Sequence, residues 1–211
     1  MNLQERNEKI RTFFNEEIND YDNVHSEFME TKKALTDSLE ESPKKILDLG
    51  GGTGLELIYL FEKYPQAEVT VIDITENMLE KLKTRSFADH VKTICGDFFE
   101  VDFGEGYDVV ISTSALHHFK TMEKAILYRK IFDCLKDDGY FVNCDRIALT
   151  EQEQEDRLRE LETEFAEHRH MDIPLTVENE KYLLQRTGFK IITLQDVDKE
   201  NYKLIKAIKK K

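Results

Sequence analysis

Apolar residues follow two alternating patterns along the chain. Short continuous apolar runs, typical of buried parallel strands, separate segments in which apolar residues recur every three or four positions, as on one face of a helix. The alternation predicts an α/β sheet whose parallel strands are joined by crossover helices. The predicted strands are 45–49, 68–73, 91–95, 107–111, 139–145, 189–195 and 202–208. The predicted helices are 55–63, 76–84, 121–135 and 177–187.

The end of the chain breaks this alternation. Only the segment from Asp196 to Asn201 separates the last two predicted strands. A link this short cannot form the crossover that parallel neighbours need. The seventh strand is therefore predicted to run antiparallel to the sixth.

Two further segments lie outside the alternation. Residues 1–42 precede the first strand and carry apolar residues at helical spacing, which predicts an N-terminal helical cap. Residues 146–176 are strongly acidic and predict an inserted cover segment, with a helix from Thr150 to about Arg169. Because no repeat or low-complexity linker interrupts the chain, residues 1–211 are interpreted as one domain.

Composition narrows the class of protein. With 211 residues and 40% apolar content, the chain can bury one substantial core. The formal net charge of −13 repels polyanions, so no nucleic-acid partner is expected. No apolar run approaches the ~20 residues that span a bilayer, and the N-terminus is polar and charged. A cytoplasmic protein without a membrane partner is expected.

The three cysteines suggest neither a disulfide nor a metal site. Cys95, Cys134 and Cys144 form no C-x-x-C pair and lie in or beside apolar segments. We expect them to be reduced and buried as small apolar side chains.

The first predicted strand leads into a glycine-rich loop. Residues 46–54 read Ile-Leu-Asp-Leu-Gly-Gly-Gly-Thr-Gly, and a predicted helix follows at once. Glycines allow a sharp turn and a close approach of the backbone to a ligand, and the helix N-terminus offers unpaired N–H groups. A dinucleotide fingerprint would place its third glycine at position 55, where Leu55 stands instead. A loop that merely joins a strand to a helix is the structural alternative.

With Asp48 in the preceding strand, this G-x-G-x-G loop resembles motif I of the class I S-adenosylmethionine-dependent methyltransferases. The resemblance extends from Lys44 to Lys209. It implies a Rossmann-like seven-stranded sheet of order 3-2-1-4-5-7-6, with strand 7 antiparallel and helices on both faces. It also implies S-adenosylmethionine as cofactor, with S-adenosylhomocysteine as product.

Further sequence motifs match those of this family, in the same order along the chain. Asp73 ends the second strand, where an acid can accept both ribose hydroxyls, and Ile74 and Met78 would pack near the adenine. Asp97 and Phe98 match the residues that relatives place around the adenine amino group. The residues that the resemblance assigns to the cofactor are Tyr21, Asp48, Gly50, Gly51, Gly52, Gly54, Asp73, Ile74, Met78, Asp97, Phe98, Ser112 and Ser114.

The acceptor side of the site is less specific in sequence. His117 or His118 would face the transferable methyl group or the substrate, and a neutral imidazole at His117 could act as a general base. A His pair at this position is common in the resembled family across many substrates, which favours a packing or orienting role instead. No ligand set of fixed spacing indicates a metal. The candidate acceptor contacts are His117, His118, Arg146, His168, Arg169 and His170.

The sequence therefore predicts methyl transfer from S-adenosylmethionine to an unidentified, small-molecule acceptor by a monomer or homodimer. Because the sulfonium already supplies the leaving group, no conspicuous catalytic pair is required. Two alternatives remain open. One is a cofactor-binding or regulatory protein without chemistry, and the other is an NAD-dependent oxidoreductase on the same architecture.

Overall fold

The computed structural model describes residues 2–40, 42–163, 172–197 and 201–209, with the side chains of residues 27 and 162 excepted. Within these ranges the chain forms one seven-stranded sheet. The strands are β1 (Lys45–Leu49), β2 (Glu68–Asp73), β3 (Val91–Cys95), β4 (Tyr107–Thr113), β5 (Leu135–Arg146), β6 (Phe189–Asp196) and β7 (Tyr202–Lys209).

The order of the strands is β3-β2-β1-β4-β5-β7-β6. The first five pair in parallel, whereas β7 runs antiparallel to both of its neighbours, β5 and β6. This confirms the predicted Rossmann-like order and the reversed last strand. From β1 the chain adds β2 and β3 on one side of the sheet, and it then continues with β4 and β5 on the other side. Open α/β sheets bind ligands at the carboxyl ends of the two strands where this change of side occurs, here β1 and β4.

Helices cover both faces of the sheet. None of the helices in the described ranges is long and apolar enough to cross a membrane. The helices are α1 (Leu3–Glu16), α2 (Tyr21–Val24), α3 (Met29–Asp37), α4 (Leu55–Lys63), α5 (Glu76–Leu82), α6 (Thr121–Cys134), α7 (Glu151–Thr163) and α8 (Val177–Thr187). Short 3-10 turns lie at Glu17–Asn19, His25–Phe28, Ala88–His90 and Leu116–His118.

Alternate side chains of the central strands pack into two separate hydrophobic cores, one on each face of the sheet. On one face, Leu47 and Leu49 of β1 pack with apolar residues of α6 and α8. On the other, Ile46 packs with apolar residues of α3, α4 and α5. Side chains of a strand point to opposite faces in turn, so a central strand buried on both sides is apolar throughout. Asp48 is the exception in β1, because it is fully buried on the face of α3 and α4.

Several boundaries differ from the sequence predictions. β4 continues through Ser112 to Thr113, and α6 ends at Cys134, directly before β5. β5 begins earlier than predicted because Leu135 pairs with Tyr107 before the register shifts. The prediction that all three cysteines are buried was wrong for Cys95. That residue ends β3, an edge strand of the sheet that the described residues form, with a neighbouring strand on one side only.

A buried ion pair joins α6 to α8. Lys124 of α6 donates to the Glu180 carboxylate of α8, and the Tyr128 hydroxyl donates to the second oxygen of the same carboxylate. Lys124 and Glu180 are 1% and 2% exposed. Burial and the neighbouring charge of Glu180 raise the pKa of Tyr128, so its phenol stays a donor. Breaking such a pair from one side leaves a buried charge without its counter-ion.

Lys124→Met is therefore expected to lower the free energy of unfolding by about 3–5 kcal/mol, measured by urea denaturation. The control is Arg129→Met, on the same helix, which removes an exposed pair with Asp133 and should change stability by less than about 1 kcal/mol. Equal effects of the two substitutions would contradict a stabilising role for the buried pair.

Candidate cofactor and acceptor site

The glycine loop lies at the carboxyl edge of the sheet, between β1 and α4. The backbone N–H of Gly50 donates to the carbonyl of Ile72 (2.8 Å), and that of Gly54 donates to the carbonyl of Gly51 (2.7 Å). Gly50, Gly52 and Gly54 all have positive φ. These angles favour glycine strongly, so the sequence pattern has a direct conformational cause.

The lack of a side chain has a different consequence at Gly50 and at Gly52. A Cβ on Gly50 would lie 2.4 Å from the Cβ of Ala115, so glycine lets this loop approach the loop after β4. A Cβ on Gly52 would meet nothing closer than the Tyr21 hydroxyl, at 3.9 Å, and Asp73 Oδ2, at 4.0 Å. Gly52 therefore exposes bare backbone to an open space, as a loop that contacts a ligand must.

Asp73 borders this space from the end of β2. Its Oδ2 accepts the N–H of Gly52 (2.9 Å), and its Oδ1 accepts the N–H of Thr75 (2.8 Å). Burial raises the pKa of Asp73, while these two N–H groups oppose the rise. A carboxylate has about four acceptor positions, so these two N–H groups do not exhaust its capacity to accept from hydroxyl donors of a ligand.

A crevice with about 650 Å³ of atom-free space, part of it open to solvent, extends from the glycine loop to α1. Its walls combine small backbone surfaces, aromatic rings and two carboxylates. Of the predicted cofactor residues, it is lined by Tyr21, Gly50, Gly52, Asp73, Ile74, Met78, Asp97, Phe98 and Ser114. His118, a predicted acceptor contact, lines it as well.

Other predicted residues lie beside the crevice. Ser112 belongs to β4 and its hydroxyl donates to the carbonyl of Leu49 (2.8 Å), so it fastens two strands instead of facing a ligand. Asp48 lies behind the loop and Gly51 faces it, since a Cβ on Gly51 would be 2.5 Å from Asp48 Oδ2. The remaining predicted residues outside the lining are Gly54, His117 and Arg146. The candidates His168, Arg169 and His170 fall outside the described residues.

The N-terminal helix contributes contacts that sequence reasoning missed. Asn7, Ile10 and Phe14 of α1 line the crevice. The Asn7 amide donates to Asp97 Oδ2 (2.7 Å), and the N–H of Phe99 donates to Asp97 Oδ1 (2.8 Å). The helical spacing of Ile10 and Phe14 predicted a buried face, but nothing in the sequence indicates what Asn7 meets.

Tyr21 and Asp22 connect the cap to the loop. The Thr53 hydroxyl donates to Asp22 Oδ1 (2.7 Å), and Arg85 donates to Asp22 Oδ2 (2.7 Å). Tyr21 stacks on His25 with ring centroids 3.9 Å apart. Burial, with the nearby acids, raises the pKa of Tyr21, so its phenol remains protonated. The cap is thus fixed to the loop by the charge-assisted hydrogen bond between Asp22 and Thr53.

Ser114 is the first residue after β4 and has φ of 54°. Such an angle is uncommon for a side chain other than glycine and is often found at functional sites. Its N–H donates to the carbonyl of Cys144 (3.1 Å), and its hydroxyl donates to the Tyr202 hydroxyl (3.3 Å). The backbone thus turns at the crevice while remaining tied to β5 and β7.

His117 is enclosed by carboxylates. Its Nδ1 lies 2.6 Å from Asp145 Oδ1, and its Nε2 lies 3.2 Å from Asp172 Oδ1. The backbone N–H groups of Leu116 and His117 donate to Asp145 Oδ2 (2.9 and 3.0 Å). Arg146 donates to Asp172 Oδ2 (2.7 Å), which completes the cluster.

The charges of this cluster determine the state of His117. Burial would lower the pKa of His117, but Asp145 and Asp172 raise it to about 10. Against the opposing effect of burial, the cation in turn lowers the pKa of Asp145 and of Asp172. His117 is therefore an imidazolium near neutral pH, with both nitrogens facing carboxylates. It has no lone pair for general-base catalysis, which favours the orienting role.

His117, His118 and Asp172 each place one potential metal-ligand atom within 4.8 Å of the others. The ring nitrogen Nδ1 of His118 lies 3.6 Å from Asp172 Oδ1. With His117 and Arg146 positive and two aspartates negative, the cluster already balances its charge. That this cluster binds no metal stays a prediction.

The fold and crevice together are those of an α/β protein with a candidate site for a nucleotide-type cofactor at the carboxyl ends of β1, β2 and β4. A family profile described as "Methyltransferase domain" matches residues 40–202. The chain belongs to this family, and it is a class I S-adenosylmethionine-dependent methyltransferase.

Two individual relatives show how far the sequence similarity extends. The chain is 26% identical over 206 residues to a carboxy-S-adenosyl-L-methionine synthase of Nautilia profundicola, covering 89% of this chain and 87% of that protein. It is 34% identical over 94 residues to a malonyl-[acyl-carrier protein] O-methyltransferase of Priestia megaterium, covering 44% of this chain but only 34% of that protein. The similarity to the second relative is thus confined to part of its length.

A solved structure has the same fold over the whole chain. The 1,6-didemethyltoxoflavin-N1-methyltransferase of Burkholderia thailandensis, crystallised with 1,6-didemethyltoxoflavin and S-adenosylhomocysteine, superposes with a TM-score of 0.78. The match covers 100% of this chain and 92% of that one, at 19% sequence identity. At this identity the likeness shows the shared fold alone.

The charge on His117 predicts a pH dependence of stability. A histidine whose folded pKa is raised to about 10 stabilises the fold fully below its unfolded pKa of about 6.5. This contribution declines as the pH rises toward 10. The urea midpoint should therefore fall between pH 7 and 10 in the wild type, and the fall should be smaller in His117→Asn. His90→Gln, at an exposed site, is the control and should follow the wild type. Parallel pH profiles for wild type and His117→Asn would refute a charged His117.

Proposed function

We propose that the chain transfers the methyl group of S-adenosylmethionine to a small-molecule acceptor in the crevice between the glycine loop and α1. The observation that carries the proposal is the open space bordered by the bare backbone of Gly52 and the carboxylate of Asp73. The Asp97 carboxylate adds a second acceptor in the same crevice. We infer one domain over residues 1–211, with a cap at 1–42 and a cover segment near 146–176.

The residues present fit the cofactor by their chemistry. Asp73 keeps acceptor positions for ribose hydroxyls, and Asp97 is an acceptor for an amino group of the adenine. Ile74, Met78 and Phe98 supply apolar surface for a flat ring. The positive φ of Gly52 leaves backbone accessible for the polar methionine end.

The sulfonium of the cofactor supplies both the methyl group and a neutral leaving group. The protein then has to position the acceptor, exclude water and leave the acceptor nucleophile unprotonated. Ile10 and Phe14 cover the crevice from α1 with apolar side chains. His117 stabilises the loop after β4 through Asp145, while His118 lines the crevice and is the better candidate for acceptor contact. Arg146 donates to Asp172 through Nη1 and does not line the crevice, so it is a weaker candidate for acceptor contact than His118.

Three observations favour a small acceptor. The crevice is covered by the cap, the net charge of −13 disfavours polyanions, and the Burkholderia relative of equal fold was crystallised with a small heterocycle. The Nautilia relative makes a carboxylated form of the cofactor, as its name states, so a modified cofactor is a second candidate product. We keep the monomer or homodimer and the cytoplasmic location as proposals.

Calorimetry with S-adenosylmethionine, S-adenosylhomocysteine and NAD tests the cofactor assignment. We expect heat with the two sulfur compounds and none with NAD. Screening acceptors for production of S-adenosylhomocysteine then separates an enzyme from a regulatory binding protein. Turnover with any acceptor would exclude the regulatory alternative, and binding of NAD alone would reject the methyltransferase.

Asp73→Asn should weaken binding of S-adenosylmethionine by about 1–3 kcal/mol, because one charged acceptor of the ribose becomes an amide. Calorimetry on the folded variant measures this loss. The matched control is Asp89→Asn, an exposed site remote from the crevice lining, which should bind with wild-type affinity. Unchanged affinity in Asp73→Asn would mean that Asp73 does not hold the ribose.

A further inference from the structure

A group of buried charges lies directly behind the glycine loop. Lys32 of α3 and Glu56 of α4 are each 3% exposed, and Lys32 Nζ lies 3.5 Å from Glu56 Oε2. Asp48 of β1 is fully buried beside them. Such groups are costly to bury, so their retention next to a ligand-binding loop calls for a physical explanation.

Asp48 supports the loop from beneath. Its Oδ2 would be 2.5 Å from a Cβ on Gly51, so the loop packs against this carboxyl group. Among the described residues, neither Asp48 oxygen accepts a hydrogen bond within normal limits. Burial and the charge of Glu56 raise the pKa of Asp48 well above its usual range. Asp48 is therefore a neutral acid when Lys32 and Glu56 form the charged pair.

Lys32 reaches this cluster from the cap. Glu56 belongs to the first turn of α4, directly after Gly54, so the pair joins α3 to the segment that closes the loop. The same cap contacts the loop a second time where Asp22 accepts from Thr53. One contact is made through a part-exposed carboxylate and the other through a buried ammonium.

We propose that Lys32 is a positioning residue for cofactor binding. Its ammonium balances the charge behind the glycine loop, and this balance keeps Gly51 and Gly52 in the conformation that accepts S-adenosylmethionine. Without this cation, Glu56 would be a buried carboxylate with no counter-ion beside the neutral Asp48, and the loop above them would shift. The proposal rests on the proposed function of this crevice as the cofactor site.

Calorimetric titration with S-adenosylmethionine at pH 7 tests the proposal, on variants shown to be folded by circular dichroism. Lys32→Met should raise the Kd by about tenfold or more, the size of coupling expected between contacting groups. The matched control is Lys33→Met, on the neighbouring position of α3, where an exposed pair with Asp37 is lost. That control should stay within about twofold of the wild type.

Charge balance predicts the pattern of rescue. Glu56→Gln alone should have a small effect, because Asp48 can ionise and become the partner of Lys32. The double variant Lys32→Met with Glu56→Gln should recover affinity to within about threefold of the wild type, since it leaves only the neutral Asp48. If Lys32 served only to fill space, the double variant would not recover affinity. Wild-type affinity in Lys32→Met, or a double variant as weak as Lys32→Met, would overturn the proposal.

If Lys32→Met does not fold, a second set of variants tests the same proposal with Lys32 in place. Adding Asp48→Asn to Glu56→Gln leaves Lys32 without an anion and should lose about tenfold in affinity relative to Glu56→Gln alone. Additive small effects in that combination would count against the proposal. Failure of the cofactor assignment is distinct, because the wild type itself would then release no heat with S-adenosylmethionine.

Discussion

The carboxylate of Asp73 fixes the geometry on which the whole site depends. It accepts one N–H from the glycine loop after β1 and another from the turn after β2. Parallel pairing of Leu49 with Ile72 brings these two strand ends side by side, so one side chain can span them. The loop, the strand ends and the start of α5 are thereby held at one edge of the sheet, where the cofactor binds in this fold.

This arrangement leaves the loop dependent on what lies behind it. Gly51 has no side chain of its own to pack against the core, so Asp48 fills the space under it. A carboxyl group placed there must be neutral or compensated, and Lys32 and Glu56 provide the compensation. The cap therefore does more than cover the crevice, because one of its charges lies beneath the cofactor loop.

The sequence predicted the elements that have strong local signals. Apolar runs and the short link before Tyr202 were sufficient for the strands and for the reversed final strand, and glycine spacing was sufficient for the loop. Contacts made by polar residues far apart in the chain could not be predicted. Asn7 and Lys32 occupy helices whose patterns show only which face is buried, and a polar residue on such a face has no sequence signal for its partner.

The two histidines after β4 belong to one sequence motif but have different environments in the fold. Their adjacency in sequence makes either a plausible base, yet the carboxylates of Asp145 and Asp172 keep His117 charged, whereas His118 faces the crevice. The balanced cluster leaves no uncompensated charge beside a reaction in which a cationic sulfonium becomes a neutral thioether. A fixed, neutral surrounding suits that change, because a strong local field of negative sign would stabilise the cationic ground state more than the transition state. Orientation by a locked imidazolium is therefore the role of His117 that agrees with both its geometry and the chemistry.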